Sequence, residues 1–173
     1  MPAKTKLVEP SGEKDDRLFH KPLDNNGRLP VMEYYWKDME ETCENIWHAQ
    51  MLGWPRILTY DYVADMALKR RLMSYKRYHN LDAAGVVSIP GKWRDEYPFA
   101  STVENGGSTL VGHASKDEQI AQGVLIRDFY KRWGASSYSS ENGKCFYFEV
   151  KILGIPSEKY EAAKAGRGIT QKK

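Results

Sequence analysis

The stretch from Pro98 to Trp133 constrains the fold most, because its apolar pattern changes from a period of two to a helical period within one short span. Pro98-Phe-Ala-Ser-Thr-Val103 reads as a strand and Ser108-Thr-Leu-Val-Gly-His113 as its return. Asn105-Gly106-Gly107 is the tight hairpin turn between them. Ser115 then opens a helix whose first turn holds Lys116, Asp117 and Glu118. Ser115 and Glu118 have the spacing of a capping box, in which the acid reaches back to the serine's backbone N–H. Ile120, Val124, Leu125 and Phe129 follow on one face, and Trp133-Gly134 closes the helix. Gly123 inside it costs about 1 kcal/mol against alanine, which fits close approach by another backbone, here the hairpin.

The flanking sequence supplies layers to cover this unit. Glu33 to Met51 reads as one helix, with Tyr35, Trp36, Met39, Cys43, Ile46, Trp47 and Met51 on its buried stripe and Glu40, Glu41 and Glu44 on its wet side. Gly53-Trp-Pro55 stops it, and Arg56 to Tyr60 is a short extended stretch. Asp61 or Asp65 caps a second helix that runs to about His79. Asp82 to Pro90 reads as a loop with a short apolar piece, and Ser136 to Gly143 as another loop. Lys144 to Leu153 is a long strand, with Cys145, Tyr147 and Glu149 on one face and Phe146, Phe148 and Val150 on the other. Pairing it with the hairpin gives an α+β fold: a small antiparallel sheet with a ββα core packed against helices.

A chain of 173 residues fits one domain and buries enough surface to hold a core without staples. Residues 1–30 read as a flexible segment, 31–160 as one domain with its core motif at 92–133, and 161–173 as a polar tail. Two cysteines, Cys43 and Cys145, exclude a disulfide scaffold and a zinc–cysteine cluster, and leave a single bridge open. No run reaches the ~18 apolar residues of a membrane span, and no apolar leader is present. The expected place is outside the producing cell, reached by a non-classical route or from a longer precursor, and the lack of a leader leaves a cytoplasmic place open. The 26 Lys+Arg against 23 Asp+Glu leave only +3, too little to name a partner. The charge is segregated, however. Lys69, Arg70, Arg71, Lys76 and Arg77 crowd one helix near Tyr75 and Tyr78, which suits a phosphate backbone as well as it suits a solvated face.

Three short motifs, in order, carry a resemblance. They are Arg94-Asp-Glu-Tyr-Pro-Phe-Ala-Ser-Thr102, then Glu104-Asn-Gly-Gly107, then Glu118-Gln119 followed by Gln122-Gly123. Together they resemble the signature of the NucA/NucB deoxyribonuclease family, specific over about 92–133, and the ββα order is the one small metal-dependent nucleases use. Asn105 is inserted before the glycine pair, and Gln119 stands where the family usually has Asn, which sets its amide oxygen one methylene further out.

The resemblance implies metal-dependent, sequence-non-specific endonucleolytic cleavage of DNA, by a secreted nuclease or a toxin delivered into competitor cells. A producer would then hold a dedicated inhibitor or immunity protein. The alternative is a non-catalytic module on the same fold, binding nucleic acid or protein. Such cleavage needs an activated water, a cation on the phosphate oxygens and positive groups for the transition-state charge. Asp95 is the candidate general base, with a turn cap as its other role. Glu96 is the neighbouring acid, which alternation sends to the other side to support the site or form a salt bridge. Arg94 either forks onto the phosphate or pairs with an acid. Glu104 either reaches over the site or holds the turn's amides, and His113 either serves phosphate or is incidental. Glu118 is a cap or a cation ligand. With Gln119 and Gln122 it forms a polar face of oxygen donors suited to Mg²⁺ or Mn²⁺.

Overall fold

Met32 and Tyr34 are buried while Glu33 and Tyr35 face water, so the first element is strand β1 (Val31–Tyr35). The single helix expected over Glu33–Met51 is thus a strand followed by helix α1 (Glu40–Met51), because the period of two continues to Tyr35. The computed structural model describes residues 27–63, 65–72, 89–106, 109–135 and 146–164. Lys76, Arg77, Tyr75, Tyr78, Gly107, Cys145 and the loop at 136–143 lie outside them.

Strand β2 (Ile57–Thr59) and helix α2, at 65–72, follow α1. Strands β3 (Lys92–Tyr97) and β4 (Leu110–Ser115) come next, then helix α3 (Lys116–Arg132), strand β5 (Tyr147–Leu153) and helix α4 (Ser157–Lys164). Helix α4 extends into the stretch read as a tail from residue 161.

The strands form two sheets instead of the one expected. In the first, β5 is central, parallel to β1 from Val31↔Glu149 to Tyr35↔Leu153 and antiparallel to β2. Both edges of β5 are thereby occupied, and it does not pair with the hairpin. The second sheet is the antiparallel pair β3–β4, in register from Lys92↔Ser115 to Tyr97↔Leu110.

The hairpin is also shifted from its expected place. Residues 98–103 do not form its first strand, because local bonds take up their backbone groups. The Phe99 carbonyl accepts from the Thr102 N–H at 2.9 Å and the Thr102 hydroxyl at 2.8 Å, and Asn105 Nδ2 donates to the Pro98 carbonyl at 2.7 Å. A 3₁₀ turn, Val103–Gly106, completes the connection.

Helix α3 begins as expected. The Ser115 hydroxyl accepts from the Glu118 N–H at 3.3 Å, and the helix closes on Trp133 and Gly134. Its buried stripe is rotated from the expected one. Ile120 and Val124 are exposed, whereas Gln122, Phe129 and Tyr130 are buried. The aromatic rings decide the rotation, since each buries more surface than an aliphatic side chain. Phe129 packs on Phe146 and Phe148 at 6.2 and 5.4 Å between centroids, and Tyr130 on Phe148 at 5.5 Å. The C-terminal half of α3 is thus seated on the first sheet, and its N-terminal half beside the hairpin. Cys43, on α1, is a free and fully buried thiol in the same core, with its pKa pushed up to about 12 chiefly by burial.

Candidate active site

Strand β3 presents Arg94, Asp95 and Glu96 beside the N-terminal half of α3. Asp95 pairs in register with Gly112 of β4. A Cβ at Gly112 would lie 2.2–2.7 Å from the amide atoms of Asn45, so this glycine opens the space in which an α1 side chain crosses the hairpin. Asn45 Nδ2 donates to Asp95 Oδ2 and to the His113 carbonyl, both at 3.1 Å. The sequence reading did not include Asn45.

Asp95 is only 4% exposed. Burial pushes its pKa up to about 6, an increase that the Asn45 and Gln119 amides and, more weakly, Gln122 oppose and that the Glu96 charge reinforces. Tyr34, fully buried nearby, has its phenol pKa raised well above the ordinary value by burial and by the Asp95 charge. Gln119 Nε2 donates to Gln122 Oε1 at 3.1 Å, which leaves the Gln119 carbonyl oxygen free of that bond. Gln122 is 6% exposed, and its side-chain amide faces Asp95 and the Tyr34 hydroxyl, favouring the ionised form of each.

Arg94, Asp95, Glu96, Gln119 and Gln122 all line one cleft of about 870 Å³, with Arg71 of α2 on its wall. Arg71 Nε donates to Glu96 Oε1 at 2.9 Å. Two cations that the sequence reading missed, Arg127 and Lys131 of α3, complete a positive lining. Their signal was present: Gln119, Gln122, Gly123, Ile126, Arg127, Tyr130 and Lys131 recur at helical spacing on one side of α3. A Cβ at Gly123 would meet nothing within 4 Å, so the expected backbone contact is absent and the glycine instead leaves the cleft open.

Other expected site residues face elsewhere. Both oxygens of Glu104 are engaged by Thr59, one by its N–H at 2.9 Å and the other by its hydroxyl at 2.7 Å, so this acid ties the 3₁₀ turn to β2. Helix α1 has no side-chain cap of its own at Met39, and Glu118 supplies one, accepting from the N–H of Thr42 at 2.8 Å and of Glu41 at 3.3 Å. Glu41 in turn accepts from the Ser115 N–H at 2.6 Å, where the expected capping box would have put Glu118. Lys92 bonds to Glu41 and holds its carboxyl below the usual carboxylate range. The N-termini of α1 and α3 therefore cap one another, and Glu118 is structural instead of cleft-facing. His113 meets Asn45 through its backbone carbonyl, and its ring is not part of the cleft lining. Arg70 pairs with buried Asp61 at 2.5 Å, and Lys69 is exposed away from the lining.

The carboxylate and amide oxygens in the cleft come from Asp95, Glu96, Gln119 and Gln122, and among the described residues no three His, Cys, Asp or Glu converge on one point. Such a set fits a hard, largely hydrated cation that takes one or two carboxylates and completes its shell with water and phosphate. No curated protein matches this chain. The family model of the deoxyribonuclease NucA/NucB matches residues 47–146, which contain the hairpin, the 3₁₀ turn and α3. That match covers more than half of the chain, and with the cleft built from the same elements it shows that the protein belongs to the NucA/NucB deoxyribonuclease family.

Proposed function

We propose that the protein is a divalent-metal-dependent endonuclease that hydrolyses DNA phosphodiester bonds without sequence preference. The observation that carries this reading is Asp95 at the cleft: buried, oriented by Asn45, and carrying a pKa of about 6 among oxygen donors and cations. A base with a pKa near the working pH combines the ionised form with useful basicity. Asp95 takes a proton from water as the water oxygen attacks phosphorus; the bond to the leaving sugar oxygen breaks, and that oxygen takes a proton from solvent.

A bound Mg²⁺ or Mn²⁺ would be held by Glu96 and the Gln119 carbonyl oxygen, leaving Asp95 to take the proton, and would supply charge neutralisation at the phosphate oxygens. Arg71, Arg94, Arg127 and Lys131 line the same cleft and suit phosphate, which carries no sequence information. The test is nicking of supercoiled plasmid with Mg²⁺ or Mn²⁺, by the wild-type chain and by Asp95→Ala. Cleavage by the wild type that EDTA abolishes and Asp95→Ala lacks supports the reading. DNA binding with no cleavage by the wild type in either metal returns the chain to a non-catalytic module.

A further inference from the structure

Hydrolysis of a phosphodiester accounts for the charged and amide residues of the cleft and leaves its aromatic residues unexplained. Trp93 and Tyr62 both line it, with 48% and 51% of their surfaces exposed. Tyr60 and Tyr130, also in the lining, pack ring on ring at 4.0 Å between centroids, and the Tyr130 hydroxyl bonds with Ser101 at 3.1 Å. This part of the cleft is therefore a braced apolar wall, although backbone phosphates have no use for one.

Trp93 stands two residues before Asp95 on β3, so both side chains leave the same face of the strand with origins about 7 Å apart. That places the indole within reach of the nucleoside attached to a phosphate at Asp95. The Lys116 ammonium lies 5.7 Å from the centre of the Trp93 ring, which holds the indole in place while half of it stays open to the cleft. A paired base shows such a ring only its edges, whereas an unpaired base offers a π-face.

We infer that the cleft contains a nucleobase-stacking subsite, with Trp93 as its platform and Tyr62 as a second ring. It takes an unpaired base next to the phosphate at Asp95, so the preferred substrate is single-stranded or locally opened DNA. This inference rests on the nuclease reading of Asp95 and adds the form of DNA that the cleft selects.

The test measures binding separately from cleavage, by fluorescence anisotropy with the full-length Asp95→Asn protein in Mg²⁺. The probes are a short labelled single strand, an abasic strand of equal length, and a duplex. The single strand is expected to bind on the order of tenfold more tightly than the abasic strand, the worth of one base–aromatic stack. Trp93→Ala is expected to erase that difference, and Trp93→Phe to keep most of it. Equal binding of normal and abasic strands overturns the inference and needs no second substitution. So does a Trp93→Ala loss that falls equally on the normal strand, the abasic strand and the duplex. Plasmid cleavage by the wild type separates the two claims. Cleavage with base-independent binding removes the subsite and keeps the nuclease. Base-dependent binding with no cleavage keeps the subsite and removes the nuclease.

Discussion

Asp95 and Glu118 belong to the same ββα unit, and the fold treats them in opposite ways. Glu118 meets two backbone N–H groups at the open end of α1, where a negative charge is both hydrogen-bonded and favoured by the helix dipole. Asp95 meets only side-chain amides, Asn45 first and then Gln119 and Gln122, and is otherwise removed from water, so burial outweighs them and its ionised form is under-compensated. An acid's role here follows from the donors that meet it, and position within a motif does not settle it. A well-satisfied carboxylate stabilises the protein, and a poorly satisfied one retains basicity for chemistry.

The comparison breaks most sharply in cleavage. Asp95→Asn is expected to lower the plasmid-nicking rate by about 10²–10⁴-fold, the usual worth of a general base, whereas Glu118→Gln in the folded protein is expected to keep it. The reverse result would exchange the two assignments. Next come the groups that orient Asp95. Asn45→Ala removes its hydrogen bond, and Gly112→Ala drives a methyl group into the Asn45 amide. Each should cost on the order of tenfold to 100-fold in rate, as small misplacements of catalytic groups do. The double variant should lose scarcely more than either single one, since both act through the same contact. Full additivity in single-turnover rates would show that Gly112 acts by another route.

Stability sharpens the contrast further. Burial raises the folded-state pKa of Asp95 from 3.8 to about 6. The folded state therefore holds this proton more tightly than the unfolded chain. Its stabilising contribution is present below about pH 4 and is lost as pH rises through about 6. In metal-free protein, Asp95→Asn should be more stable than wild type by on the order of 2–3 kcal/mol at about pH 8, with no such gain at about pH 4. Urea titrations with EDTA at the two pH values read this directly, and equal gains at both would remove burial as the cause. Glu118→Ala should be destabilising by about 1–2 kcal/mol through the lost cap. The smallest effect belongs to Gly123→Ala, which meets no neighbour and should gain up to about 1 kcal/mol of helix stability. Any loss of cleavage in that variant would then report a methyl group standing in the substrate's path.

Local signals were the legible ones. The Ser115 cap, the extent of α3 and the ββα order follow from spacing, and the motif holds Arg94, Asp95, Gln119 and Gln122, which line the cleft; Glu96, which alternation sends to the other side, lines the same cleft. What sequence could not show depended on distant partners. β5 lies between β1 and β2 because two strands from the first third of the chain take its edges, a pairing no local spacing shows. Glu118 turns toward α1 because Met39 offers that helix no side-chain acceptor, a vacancy created more than seventy residues away. Asn45 lies outside the family's matched region, and its role exists only because Gly112 lacks a side chain beneath it. The helix of five cations also divides by its surroundings. Arg71 lines the cleft, Arg70 is committed to Asp61, Lys69 lies away from the lining, and Lys76 and Arg77 fall outside the described residues.

Burial, outweighing the amides that oppose it, holds Asp95 as a base near neutral pH. Carbon-detected NMR titration of the Asp95 carboxyl in metal-free wild-type protein tests it most directly. A midpoint at about 6 is expected, moving higher in Asn45→Ala as the lowering hydrogen bond is lost. A midpoint in the ordinary carboxylate range, unmoved by Asn45→Ala, would contradict it.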